Sequence, residues 1–437
     1  MRNYNINVFS ALTMRILIVN TSENVGGAAV AANRLMEALN NNGVKAKMLV
    51  MKKTTDHITV VGLPHAWLQR LHFLLERFVI FCHLHFSRRN LFAIDIANAG
   101  TDITSLREFK EADLIHLSWI NQGMLSLADI RRIVRSGKPV VWTMHDLWTA
   151  TGICHYARQC PSFRTGCHNC RLLPRGGGKA DLSRKVWNRK KALYHNANIH
   201  FVTCSRWLEG QARQSALMKG QRITAIPNPI DTRLFAPTDK AEARLKNQLP
   251  ADRRIILFVA HRVDDDRKGA NYFVEAVNRL ADASPHFAKN TCVAAIGRNS
   301  ETIAALLHVP TYAVGFVTDE RQMASVYAAA DVFVLPSLED NLPNTIMESL
   351  ACGVPCVGFK VGGIPEMIDH RVNGYVANFK DVADLAAGIQ WVLNEADARA
   401  LSAAARRKVE MRYSQSAVAA EYIEVYNEMI AQKTYRI

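Results

Sequence analysis

Two carboxylates, Asp340 and Glu348, stand eight residues apart across a polar turn, Leu335-Pro-Ser-Leu-Glu-Asp-Asn-Leu-Pro-Asn344. An apolar run, Asp331–Leu335, enters the turn, and a helical stretch leaves it from Asn344. Amide N–H groups at a helix start lack intrahelical partners and favour anions and hydroxyls. Carboxylates flanking such a start can reach two ends of one elongated polar ligand, with Asn341, Leu342, Pro343 and Asn344 offering backbone between them. The plainer alternative is a strand, a turn and a helix capped by a carboxylate.

A second constellation is cationic. Arg262 and Lys268 lie six apart in Val259-Ala-His-Arg-Val-Asp-Asp-Asp-Arg-Lys-Gly269, where an apolar run ends in a turn closed by Gly269. Two fixed cations beyond a strand suit a diphosphate; otherwise this is a solvated surface loop. Gly26 and Gly27 follow the run Arg15–Val19 and permit close approach of backbone to a ligand, although a glycine pair alone also makes a plain turn. His145 and Asp146 follow the apolar run Val140–Thr143, and a lone histidine there is as readily structural as functional.

Cys154, Cys160, Cys167 and Cys170 fall within seventeen residues and end in Cys-x2-Cys. That pattern leads us to expect a closed, structural zinc site. Disulfides or free thiols are the alternatives. The remaining cysteines, such as Cys352 and Cys356, read as small core residues.

These residues need a scaffold that brings strand ends together. In the first half, Arg15–Val19, Lys47–Val50, Asp113–Leu117, Pro139–Thr143 and Ile199–Thr203 alternate with helical stretches. In the second, Ile255–Ala260, Val293–Ile296, Ala313–Phe316, Asp331–Leu335 and Pro355–Phe359 do the same. Such alternation predicts parallel sheets covered by helices. With 437 residues the chain is too long for one ordinary core. We expect domains over 14–228 and 229–413, joined by a proline-containing linker at Ile223–Asp231. Ser414 should cap a last helix reaching Ile430. Residues 1–13 are polar, and Met14 reads as the natural start, with the preceding residues disordered or a misassigned beginning.

The net charge of +15 is lopsided: residues 1–230 hold 31 Lys and Arg against 13 Asp and Glu, a balance of +18, leaving −3 for the rest. The basic half should face an anionic partner such as a phospholipid surface, a lipid diphosphate or nucleic acid. Arg184, Lys185, Arg189, Lys190 and Lys191 form its densest run and read as a solvated helix face. From His65 to Arg89, Trp67, Leu71, Leu74, Phe78 and Phe81 recur at helical spacing, edged by Arg70, Arg77, Arg88 and Arg89. Glu76 and Arg77 make it a poor membrane span; it suits an interfacial position or a packed hairpin. With neither a signal peptide nor a span visible, a cytoplasmic protein, peripheral to the inner face of the membrane, is expected.

The Asp340-x7-Glu348 turn resembles the donor-binding motif of family 4 glycosyltransferases, with Asp340 where that family usually has Glu and Asn341-Leu-Pro343 replacing its Gly-Phe-Gly turn. Leu114-Ile-His-Leu-Ser-Trp119 and Thr143-Met-His-Asp-Leu-Trp-Thr-Ala-Thr-Gly152, continuing into Cys154-His-Tyr156, are similar to a bacterial polysaccharide subgroup of it. The resemblance implies the α/β GT-B fold, two doubly wound Rossmann-like domains facing a cleft. The first would bind the acceptor and the second the nucleotide-sugar donor, with the closing helix returning to the first. It implies retaining transfer, for capsule, exopolysaccharide or lipopolysaccharide O-antigen, to an undecaprenyl-pyrophosphate-linked saccharide. Arg262 and Lys268 would hold the donor phosphates, Glu348 the ribose, Asp340 and the adjoining amides the sugar. Gly26 and Gly27 would face the phosphate, and His145 would touch the transferred sugar. No cofactor beyond the co-substrate is implied for the chemistry. A catalytically silent scaffold and a basic, zinc-containing nucleic-acid binder are the competing classes. The second is disfavoured by the absence of a groove-reading motif, so nucleic acid is not an expected partner.

Overall fold

The computed structural model describes residues 14–263 and 265–434, so the expectation for residues 1–13 lies outside the described residues. The chain divides into two compact units. The first runs to Asn228 and regains the chain from Val418; the second is Pro229–Ala417.

The first unit is built on a seven-stranded sheet of β1 (Arg15–Val19), β2 (Lys45–Val50), β3 (Val60–Gly62), β4 (Leu114–Leu117), β5 (Val140–Met144), β6 (Ile199–Thr203) and β7 (Arg222–Ala225). The order is β3-β2-β1-β4-β5-β6-β7, and every pairing is parallel. Successive side chains point to opposite faces, so the continuous apolar runs fill two cores. Leu17, Val19, Ile115, Leu117 and Trp142 serve one face. Ile16, Ile18, Val141 and Val202 serve the other, together with Tyr422, Tyr426 and Met429 of the last helix. That helix spans Gln415–Thr434, and the Ser414 hydroxyl accepts from the amide of Ala417 at 3.4 Å. It is also keyed by polar contacts. His116 meets the Tyr426 hydroxyl at 2.5 Å and Thr143 at 2.8 Å, and Thr143 meets the Tyr422 hydroxyl at 3.0 Å.

The second unit repeats the plan with six strands: β8 (Arg254–Arg262), β9 (Thr291–Arg298), β10 (Thr311–Gly315), β11 (Val332–Leu335), β12 (Cys356–Phe359) and β13 (Gly374–Ala377). The order β10-β9-β8-β11-β12-β13 is again parallel throughout. Duplication is thus one of topology rather than of residues.

Three readings of the sequence need correction. Part of the expected linker is β7, the last strand of the first sheet, paired with β6 from His200↔Arg222 to Thr203↔Ala225. Strands β3 and β13 escaped notice because three or four residues, each run carrying a glycine, give too little alternation to register. Lys190 is not on a solvated face but fully buried. Its ammonium donates to the carbonyls of Trp148 at 2.5 Å and Thr151 at 3.1 Å and lies 3.4 Å above the Trp148 ring.

Candidate active site

In an open parallel sheet, ligands bind beyond the carboxyl ends of the strands, where the strand order reverses. In the second unit that point lies between β8 and β11, and the residues expected to do chemistry converge there. Strand β8 ends at Arg262, an exposed residue. A single 3-10 turn, Asp266–Lys268, follows, and Gly269 leads into the helix Ala270–Ala283. The Lys268 ammonium meets Asp340 Oδ2 at 2.6 Å, and Ser337 donates to the same oxygen at 3.2 Å. One ion pair therefore ties the loop after β8 to the loop after β11.

Backbone contacts fix that junction. The amide of Leu338 donates to the Arg267 carbonyl at 2.7 Å, and that of Gly363 to the Asn341 carbonyl at 2.8 Å. Gly269 sits at φ +71°, where an added Cβ would lie 1.9 Å from the Pro336 carbonyl oxygen. Gly362, at φ +58°, leaves 1.6 Å between such a Cβ and the Asp340 carbonyl oxygen. Only glycine fits at either place. Three loops are thus pressed together around Asp340.

The helix Asn344–Ala351 starts at this edge with Pro343 as its N-cap, and no side chain caps it. Asn341, Leu342 and Pro343 are buried in the turn. Glu348 is 9% exposed, and its Oε2 accepts from the Tyr327 hydroxyl at 2.9 Å. Burial, and then the Glu348 charge, push that phenol well above its ordinary pKa, so it remains a donor. Sequence reasoning missed Tyr327 and also missed Arg298. Arg298 ends β9 in register with Arg262, and its guanidinium lies 5.2 Å over the Phe316 ring. The signal for Arg298 was present in the cation that closes an apolar strand, as Arg262 closes β8.

In the first unit the reversal lies between β1 and β4, and the groups expected to act there, the glycine turn and His145, are uncharged. Gly26, at φ +93°, caps the helix Gly27–Asn41, and a Cβ on it would meet nothing within 4 Å. Both glycines are exposed. The loops after β1 and β4 are joined by Thr21, whose amide donates to the Trp119 carbonyl at 2.8 Å and whose hydroxyl donates to that of Asn121 at 2.8 Å. His145, directly after β5, places Nε2 at 3.0 Å from the Ser118 hydroxyl and Nδ1 at 3.3 Å from Cys204 Sγ. Burial lowers its pKa to about 4, against the pull of Asp146. The ring is neutral at pH 7.

Beneath His145 runs a charged chain that the sequence did not reveal. His155 bridges Asp146 at 2.7 Å and Asp95 at 2.5 Å, and Asp95 in turn pairs with Arg77. Burial alone would lower the His155 pKa, but the two carboxylates raise it to about 10. The imidazolium and hydrogen bonds from Trp148 and Trp119 hold Asp146 below its usual range, overcoming the effect of burial. In the sequence, His155 is only the middle of a Cys-His-Tyr stretch.

The zinc expectation is not supported. All four cysteines line one cavity of about 20 Å³ with Thr151, Phe163 and His168 among others. Yet among the described residues no three His, Cys, Asp or Glu side chains are grouped so as to hold a metal ion. All four are free thiols, and burial raises the pKa of three of them, pushing Cys154 up to about 12, Cys167 to about 11 and Cys170 upward. The donor set does not fit a metal as it stands; Cys167 packs in the first core, with Cys170 against it.

The family described as Glycosyltransferase Family 4 matches residues 25–234, and that described as Glycosyl transferases group 1 matches residues 253–395. The chain belongs to the family 4 glycosyltransferases. It is 29% identical to a D-inositol 3-phosphate glycosyltransferase of Thermobispora bispora over 48% of this chain and 51% of that one. It is 25% identical to WcaC of Escherichia coli, named as a glycosyl transferase of colanic acid biosynthesis, over 72% of this chain and 75% of that one. It is also 25% identical to the N,N'-diacetylbacillosaminyl-diphospho-undecaprenol alpha-1,3-N-acetylgalactosaminyltransferase of Campylobacter jejuni, over 58% and 67%. The chain spans about half the length of the curated relatives it first matches. Among solved structures, Anabaena HepE in complex with UDP and glucose superposes with a TM-score of 0.62 over 95% of this chain and all of that one, at 17% identity. The fold is GT-B.

Proposed function

We propose that this chain is a retaining glycosyltransferase. It would move a sugar from a nucleotide-sugar to a saccharide carried on a lipid diphosphate, in the assembly of a bacterial surface polysaccharide. The observation that carries the reading is the Lys268–Asp340 pair across the switch point of the second sheet, with Arg262 ending β8 beside it in sequence. A cation held by a carboxylate is pre-positioned, and an arriving diphosphate can take the carboxylate's place on it.

The bond from the sugar's anomeric carbon to the phosphate oxygen breaks as the acceptor hydroxyl oxygen bonds to that carbon on the same face. The hydroxyl proton passes to the departing phosphate. Arg262 and Lys268 stabilise the charge developing on the diphosphate, the main catalytic contribution. Asp340, released from Lys268, and the amides around Asn341 and Asn344 hold the sugar. Glu348, oriented by Tyr327, takes the ribose hydroxyls. His145 and the Gly26–Gly27 turn are assigned to the transferred sugar and the phosphate; a neutral His145 accepts a hydroxyl hydrogen bond without competing for the anion. The name of the Campylobacter relative, with its diphospho-undecaprenol, and that of WcaC support the acceptor class and the pathway. The UDP and glucose bound to HepE support a nucleotide-sugar donor.

The test is release of free nucleotide by purified protein from UDP-, GDP- and ADP-sugars with lipid-diphosphate saccharides, the product's anomeric configuration being read by NMR. Turnover with one donor and a retained configuration is expected. Nucleotide binding without turnover on any donor would make the chain a silent scaffold, and an inverted product would remove the same-face step.

A further inference from the structure

The helix Ala66–His83 is built inside out. Its buried positions are mostly polar: Gln69, Glu76 and Arg77, with Ile80. Each is fastened to the first unit. Glu76 Oε1 accepts from the amides of Ile96 at 3.0 Å and Ala97 at 2.7 Å. Arg77 donates to the carbonyls of Leu91 at 2.7 Å and Ile94 at 3.2 Å and pairs with Asp95. Gln69 accepts from the Thr101 hydroxyl at 2.9 Å. The backbone at Phe73 presses on Gly123, where an added Cβ would lie 2.6 Å from the Phe73 nitrogen.

The outward face carries the apolar side chains. Trp67, Leu71, Leu74, Leu75 and Phe78 are 45% to 68% exposed. They fall at i, i+4, i+7, i+8 and i+11, one stripe of a helix. Beyond the helix end, Phe86 and Phe92 are 70% and 61% exposed. A soluble surface rarely gathers so many large apolar side chains on one element.

What covers the stripe is indicated by its charges. Exposed Arg70 sits beside it, and exposed Arg88 and Arg89 follow it. From residue 65 to 92 the only acidic residue is Glu76, which is fully buried. The same half of the sequence carries the +18 excess. A protein partner would be expected to offer mixed charge. An anionic bilayer asks for this combination: aromatic and aliphatic side chains on one face, arginines at the edge, and no exposed carboxylate. No described helix is long and apolar enough to cross a membrane, so this one would lie in the interface plane.

We propose that the outer face of the helix Ala66–His83, with the turn to Phe92, is a docking surface for an anionic phospholipid bilayer. The proposal does not depend on the transfer reading, since it concerns lipid without donor or acceptor.

The experiment is co-sedimentation of the full chain with phosphatidylglycerol-containing and pure phosphatidylcholine vesicles, at low and high salt. Binding to the anionic vesicles, weakened by salt, is expected. The triple variant L71Q/L74Q/F78Q, altered only at exposed positions, should lose at least about tenfold in partitioning with an unchanged melting midpoint. The variant R70Q/R88Q/R89Q should lose most of the preference for anionic over neutral vesicles. Absence of vesicle binding, or binding that the stripe variant leaves unchanged, would overturn the proposal. So would a dimer in lipid-free solution that the stripe variant dissolves while vesicles bind neither form; the face would then join two copies of this chain. Nucleotide release with a water-soluble acceptor, measured in parallel, reports on the transfer reading separately.

Discussion

At the switch point of the first sheet, between β1 and β4, the site groups are a glycine turn, hydroxyls and an imidazole that burial keeps neutral. At the switch point of the second, between β8 and β11, they are an ammonium paired with a carboxylate, beside an arginine ending β8. The two sheets share strand order from their first strands outward, and both offer carboxyl edges. The difference therefore comes from the loops. The topology supplies a place for a ligand, and three or four side chains decide whether that place answers charge or shape. The glycines named at the two sites differ too. Gly269 and Gly362 leave no room for a Cβ, whereas Gly26 has open space around it.

The largest effect should come from removing the fixed charge. Lys268→Ala is expected to cut nucleotide release by about 10²–10³-fold, with the melting midpoint little changed. His145→Ala should cost only about tenfold, on the order of one hydrogen bond. Equal losses in the two variants would erase the division between a charged and an uncharged edge.

Next in size is the contrast between the glycines. Gly362→Ala forces a Cβ against the Asp340 carbonyl in a left-handed backbone. It should lose about 1–3 kcal/mol of stability or more, read from denaturant midpoints. Gly26→Ala meets no such clash and carries only the cost of a backbone at φ 93°, ψ 158°, a region essentially kept to glycine, about 1–3 kcal/mol, and its deficit should show in turnover if backbone meets ligand there. A Gly26 variant as unstable as the Gly362 variant would contradict the contrast.

The pH response should separate the units as well. His155 has its pKa raised to about 10 by Asp146 and Asp95 working against burial. Its contribution is complete below the unfolded value near 6.5 and is lost as pH rises through about 10. Hydrogen exchange in the first unit should therefore speed up across that window, and His155→Gln should flatten the trend. On the acid side His116 and His145 act the other way. Burial lowers them to about 3 and about 4, so stability is lost as pH falls from 6.5 toward those values. An unchanged slope in His155→Gln would show that the imidazolium is not the titrating group.

The smallest effect is expected from metal removal. A chelator should leave the melting midpoint of the first unit unchanged, since no metal-holding group is found among the described residues and Cys167 and Cys170 pack at the first core. A drop of several degrees would restore the metal reading of Cys154, Cys160, Cys167 and Cys170.

Strand ends and the charged site were readable because both are local. A run such as Ile255–Ala260 declares a buried strand by composition alone, and Arg262, Lys268 and Gly269 follow it within nine residues. The Asp340–Glu348 turn is likewise one continuous stretch. The sequence by itself thus determined two parallel α/β layers, the polar loops at their carboxyl ends, and the family. Only the tertiary structure decided which charges are buried and paired. Asp95, Asp146 and His155 are up to sixty residues apart in the chain, and no spacing reveals that one imidazole lies between two carboxylates. Lys190 and the helix Ala66–His83 make the same point from opposite sides. A lysine in a basic run was taken into the core because two carbonyls and a tryptophan ring awaited it, and an apolar stripe was turned outward because Gln69, Glu76 and Arg77 found partners within. Burial of a polar group is settled by its partners, and those partners come from distant parts of the chain.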